Sequence, residues 1–179
     1  LANILELQEF KIARSREMTE LAIYSAVCFL VPFLLGQPQL LVGTVVNAAL
    51  VLSALHLPKN KILPAVLLPS IGVLSRGLIF GPLTYFLLIT MPFIWLGNYV
   101  LVSGIKYLYL KRKINKYLSI ALSIIAKVAI LYLSASILIN AGVLPKIFAT
   151  SMGAFQLYTA IIGSILALSI QQIVKPKKA

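Results

Sequence analysis

The chain contains no aspartate, and its four acidic residues, Glu6, Glu9, Glu17 and Glu20, all precede position 21 of 179. Everything beyond Glu20 therefore lacks a carboxylate side chain. Magnesium-dependent phosphoryl transfer, calcium binding and carboxylate proton relays through a bilayer all need Asp or Glu, and are excluded. The single histidine, His56, cannot supply bis-histidine haem ligation or a typical zinc site within one chain, so neither metal nor cofactor is expected. One cysteine, Cys28, rules out an internal disulfide and, inside an apolar run, reads as a small packing residue. No GxxxxGK[ST] phosphate loop is present, so the chain does not use ATP by itself. Hydroxyls are plentiful, but no Ser-His or Ser-Lys arrangement is defensible from spacing, and an enzyme is not expected.

Apolar residues are abundant. They make up 60% of the chain against 11% charged, with a mean hydropathy of +0.99, the composition of an integral membrane protein. The formal charge of +12 comes from basic residues clustered between apolar runs, a pattern that fits anionic lipid rather than nucleic acid. Lys11, Arg14 and Arg16 precede the first apolar run in the manner of a signal peptide. Many more such runs follow and no convincing cleavage site appears, so this run is read as an uncleaved span.

A membrane helix needs roughly 17 to 25 residues. Apolar runs at residues 19–35, 39–57, 92–110, 117–140 and 147–173 meet that need, separated by "GQPQ", "LPKNK", "KRKINK" and "NAGVLPK". A single helix over 62–91 would be about 45 Å long, too long for an untilted span. The segment "RGLIFGP", with Gly77, Gly81 and Pro82, offers a break that yields a short third helix, 62–75, and a long fourth, 83–110. The expected fold is all-α and polytopic: six transmembrane helices with N- and C-termini cytoplasmic. Charge supports this arrangement. It places Lys11, Arg14, Arg16, Lys59, Lys61, Lys111, Arg112, Lys113, Lys116, Lys175, Lys177 and Lys178 inside, and Arg76 and Lys146 outside. Tyr107, Tyr109 and Tyr117 flank the basic loop as interfacial aromatics. The expected organisation is an interfacial amphipathic helix over 1–18, with Arg16 and Glu20 spaced as an i,i+4 pair. A six-helix transmembrane domain over 19–174 follows, and then a basic cytoplasmic tail over 175–179.

Polar groups at membrane depth are the candidate site residues: Asn47 in the second helix, Arg76 at the outer end of the third, Asn98 in the fourth, and Lys127 and Asn140 in the fifth. Lys127 stands ten residues past Tyr117, about 15 Å along the helix and near the midplane. Two readings are open for it: a lysine that packs its stem, loses its proton or finds backbone carbonyls, or one that meets a ligand's negative group or another subunit's carboxylate. Arg76 is likewise either a solvated charge or a forked donor to an anionic or carbonyl-bearing small molecule. Its expected holders are water and a ligand at the outer mouth. Ala22 and Ala26, an i,i+4 pair in "LAIYSAVCF", form a smooth strip that another helix backbone can approach, and Gly163 and Ala167 form a comparable one.

Six spans, both ends cytoplasmic, 179 residues, the Ala22-x-x-x-Ala26 strip and polar outer loops together resemble the substrate-binding (S) components of energy-coupling-factor (ECF) type ABC transporters. The resemblance implies a binding subunit in a prokaryotic plasma membrane that takes up a micronutrient. Its partners would be a transmembrane coupling subunit, docked on Ala22 and Ala26, and two cytoplasmic ATPases. It also implies that loops 36–39, with Gln37 and Gln39, 76–82 and 140–146 enclose the ligand. With no acid in helices two to six, a neutral or anionic ligand fits Arg76 and Lys127 better than a cation. The alternative is a small structural or ion-conducting subunit of a larger membrane complex, with Lys127 paired to a neighbour's carboxylate.

Overall fold

The computed structural model describes the backbone of residues 2–80 and 84–174 and the side chains of residues 14–77 and 85–173. In lipid, a backbone must satisfy its own N–H and C=O groups, which an apolar chain does most simply as α-helix. Among the described residues the protein is all-α, with α1 (Ala2–Leu34), α2 (Gln39–His56), α3 (Leu63–Phe80), α4 (Thr84–Ile105), α5 (Lys116–Asn140), α6 (Ile147–Met152) and α7 (Ala154–Val174). A 3-10 turn at Lys59–Lys61 joins α2 to α3, and a π-helical segment at Lys106–Lys111 prolongs α4. Among the described residues, Arg14–Leu34, Gln39–His56, Tyr85–Lys111, Lys116–Asn140 and Ile147–Ile173 are long and apolar enough to cross a membrane. The protein is a multi-pass membrane protein.

Three boundaries differ from the sequence expectation. Residues 2–18 continue without a break into the following helix, so that α1 is one helix of 33 residues, Ala2–Leu34. The third helix runs past Arg76 to Phe80, because glycine at 77 weakens a helix without ending it. Gly81 and Pro82 lie outside the described residues. The last apolar run is divided at Gly153, whose φ of −102° and ψ of −96° end α6. A β-carbon there would lie 2.7 Å from the Ala149 carbonyl oxygen, so the break suits glycine. At the start of α5, the Asn115 Oδ1 accepts from the Tyr117 amide at 2.9 Å, an N-cap that fixes where the helix begins after the basic loop.

α2 is the central helix, in contact with α1, α3, α4 and α7, and its stretch 46–54 is wholly buried. Its most extensive neighbour is α7, which comes close because Gly163 has no side chain: a β-carbon there would sit 2.6 Å from the Thr44 carbonyl oxygen. α1 packs chiefly on α3, and α4 on α5.

The two ends of the bundle are chemically distinct. At one end Arg16 pairs with Glu20 at 3.0 Å and Glu17 reaches across to Lys61 at 2.9 Å, so an early glutamate neutralises a lysine of the α2–α3 connection. The Tyr24 hydroxyl and His56 Nδ1 are 2.7 Å apart beside them, and Lys106 Nζ donates to the Leu57 carbonyl. The other end carries the α1–α2 turn, Arg76 and the α5–α6 connection.

Candidate functional site

A cavity of about 440 Å³ opens among α1 to α7 toward the end that carries Arg76. Gln37, Gln39, Arg76, Ser151 and Gln156 contribute polar groups near that end, while Asn47, Ser70, Asn98 and Lys127 do so deeper down. Asn47 lies two turns below Gln39 on α2, about 12 Å by helical rise. Pro32, Val42, Val46, Pro69, Val73, Leu87, Ile94, Phe148 and Met152 make the remaining wall apolar. Pro32 and Pro69 sit inside α1 and α3, and each leaves its helix one backbone hydrogen bond short.

The deep polar groups are organised around Lys127, which is only 2% exposed. Its Nζ donates to Asn47 Oδ1 at 2.6 Å. The Asn47 amide nitrogen in turn donates to the Gly43 carbonyl at 2.9 Å and to Thr159 Oγ1 at 3.1 Å. Thr159 hands its own proton to the Phe155 carbonyl at 2.8 Å. This chain of bonds ties α2, α5 and α7 together and fixes the Asn47 carboxamide with its oxygen toward the lysine. Asn98 donates to the Val66 carbonyl at 3.2 Å, joining α4 to α3. Among the described residues, buried Ser70 Oγ has no hydrogen-bond partner. No acidic residue lies beyond Glu20, so the chain's own later helices offer Lys127 no counter-ion.

Arg76 has main-chain partners. Its Nη1 donates to the Phe33 and Leu34 carbonyls at 3.0 and 2.8 Å. These are C-terminal carbonyls of α1, acceptors that receive no N–H donor from within the helix and carry the negative end of its dipole. Sequence reasoning supplied water and ligand as the holders of this charge; the helix terminus was invisible to it because Phe33 and Leu34 are far from Arg76 in the chain. Gly36, with φ of +63°, turns the chain directly over the guanidinium stem, where any β-carbon would collide with it.

Comparison with family models, with characterised proteins and with solved structures finds no match for this chain.

Of the residues nominated from sequence, Arg76, Lys127, Asn47, Asn98, Gln37 and Gln39 line this one cavity. Asn140 does not: it is exposed at the end of α5, away from the cavity lining. Ala22 and Ala26 are both exposed on the outer face of α1, whereas Gly163 and Ala167 are buried against α2. Two strips with the same spacing thus have opposite placements. Ser70, Thr159, Ser151 and Gln156, with Phe148 and Met152, were missed. Hydroxyls in membrane helices usually bond the carbonyl one turn back, as Thr159 does, so their presence in an apolar run carries little signal. Among the described residues no three His, Cys, Asp or Glu side chains gather as a metal site requires.

Proposed function

We propose that this protein is the membrane-embedded binding subunit of an uptake system for a small neutral or anionic molecule. In this reading α3 is a sixth span and both termini are cytoplasmic. The cavity opens to the outside, and separate ATPases act through a coupling subunit docked on α1, as in the S components of ECF transporters. The observation that carries the proposal is the convergence of polar residues from α2, α3, α4 and α5 on one cavity, with a buried lysine on its floor. A cavity of this volume, mostly apolar with a few convergent polar groups, has the character of a small-molecule site. The outward face of the Ala22 and Ala26 strip supports the docking element. The competing role, a structural subunit whose Lys127 pairs with a carboxylate of another chain, needs Lys127 on the lipid-facing surface. Its burial and its bond to Asn47 favour the binding subunit.

Occupancy tests the proposal. Native mass spectrometry of the tagged full chain, released gently from its own membrane, should give a species heavier than the polypeptide by one small molecule. Val73→Trp, which fills the cavity from α3, should lack it. A wild-type protein that is always empty, or that carries the same extra mass in Val73→Trp, contradicts the reading.

A further inference from the structure

Lys127 and Ser70 together narrow what the cavity takes. An ammonium group has three hydrogens to donate, and Lys127 spends one on Asn47 Oδ1 at 2.6 Å. Asn47 can do no more, since its amide nitrogen is committed to Gly43 and Thr159. Ser70 is the second sign. Buried Ser53, Ser119, Ser123 and Ser164 each return the hydroxyl proton to a carbonyl three or four residues back, at 2.7, 2.9, 2.7 and 2.6 Å. Ser70, 2% exposed and part of the cavity wall, has no such bond. A buried hydroxyl without a partner costs roughly 1 to 3 kcal/mol and is seldom left so without a reason.

We infer that the occupant is an organic monocarboxylate. Its carboxylate lies on the floor, receiving hydrogen bonds from Lys127 Nζ and Ser70 Oγ, and its apolar body lies against Val46, Ile94 and Met152. The inference rests on the cavity being a ligand site, as proposed above. No residue after Glu20 supplies a counter-charge that would hold the proton on buried Lys127, and a ligand carboxylate brings one. A carboxylate, with two oxygens and one charge, matches two donor groups and one cation. A phosphate dianion would bring a second negative charge for which the deep end of the cavity has no second cation, Arg76 standing at its mouth. A halide would satisfy the charge but leave most of the 440 Å³ of largely apolar space unfilled.

The test uses the molecule that the protein itself carries. The wild-type full chain is purified from its native membrane, extracted with solvent, and the extract is analysed by mass spectrometry before and after carboxyl methylation. The expected result is a stoichiometric compound that gains a single methyl ester. Added back to emptied protein, that compound should bind Ser70→Ala about tenfold more weakly, the loss of one hydrogen bond to a charged group. Binding to Lys127→Met should be undetectable. Ser70→Ala removes no hydrogen bond of the protein, so its folding gives a clean comparison. A stoichiometric compound without a carboxyl group, or one whose affinity both substitutions leave unchanged, overturns the inference while leaving the binding-subunit reading intact. Absence of any stoichiometric compound overturns both.

Discussion

At the scale of single residues, Lys127 is where function and stability oppose each other. A lysine at the centre of a membrane helix costs about 2.5 to 3.5 kcal/mol on insertion scales. Replacing it by methionine relieves that cost, but leaves Asn47 Oδ1 without its donor, at roughly 1 to 3 kcal/mol. The first equals or exceeds the second over most of these ranges, so no loss of stability is expected. Lys127→Met is therefore expected to keep the thermal midpoint of the empty protein close to wild type while abolishing retention of a small molecule, as read by thermal unfolding and native mass spectrometry on the same sample. A large drop in midpoint would mean that the bond from Lys127 to Asn47 contributes more to holding α2 and α5 together than the burial of the lysine costs. Gly36 is the opposite kind of residue: its φ of +63° and its closeness to Arg76 leave no room for a side chain. Gly36→Val should lower stability by about 1 to 3 kcal/mol, the combined cost of left-handed backbone and a displaced guanidinium, visible as a lower thermal midpoint. Lys127, Asn47, Asn98 and Arg76 were legible in the sequence because charge or carboxamide at membrane depth is rare. The partners of Arg76 were not, since helix-terminal carbonyls belong to every sequence. Ser70 and Thr159 were equally illegible, because only their neighbours distinguish a self-satisfied hydroxyl from an orphan.

At the scale of elements, helices with similar small-residue strips do different work. Gly163 on α7 meets the backbone of α2, with the Ala48 amide nitrogen 2.9 Å from where a β-carbon would be. Gly163→Leu should destabilise the fold by roughly 1 to 3 kcal/mol or more through overpacking. Ala22→Leu and Ala26→Leu, on the exposed face of α1, should leave the isolated protein's thermal midpoint unchanged. Thermal unfolding of the three variants side by side checks the contrast, and equal losses would place the α1 strip inside a helix contact after all. Sequence spacing shows that each strip exists, but which way it faces depends on how α1 and α7 rotate against α3 and α2. The division of the last span at Gly153 has the same character. Glycine is tolerated inside helices, and only the closeness of Ala149 and Tyr132 makes this one a break that lets α6 bring Phe148 and Met152 to the cavity.

At the scale of the whole molecule, hydropathy and charge carry the fold. A chain that is 60% apolar, with basic clusters recurring between apolar runs, has few ways to satisfy its backbone other than a helical bundle in lipid. The all-α architecture was therefore the most legible feature, and the packing order of helices around α2 the least, since it rests on side-chain fit between distant segments. The proposed sidedness has a direct check. Cys28 is fully buried and is the only cysteine, so a Cys28→Ser background admits single reporters. Gly142→Cys in the α5–α6 connection should react with a membrane-impermeant maleimide in intact cells. Lys113→Cys in the basic loop should react only after permeabilisation. The reverse pattern would invert the proposed orientation.

In the proposed role this protein binds a small molecule for an energised uptake complex whose motor lies in other chains. Gentle affinity purification of the tagged protein from its native membrane, followed by mass spectrometry of the copurifying proteins, tests it most directly. This role predicts stoichiometric recovery of a multi-span coupling subunit and two ATPases, lost in the Ala22→Leu/Ala26→Leu double variant although that variant still folds. Recovery of a different stoichiometric membrane complex, or of no partner from membranes that retain their complexes, would contradict it.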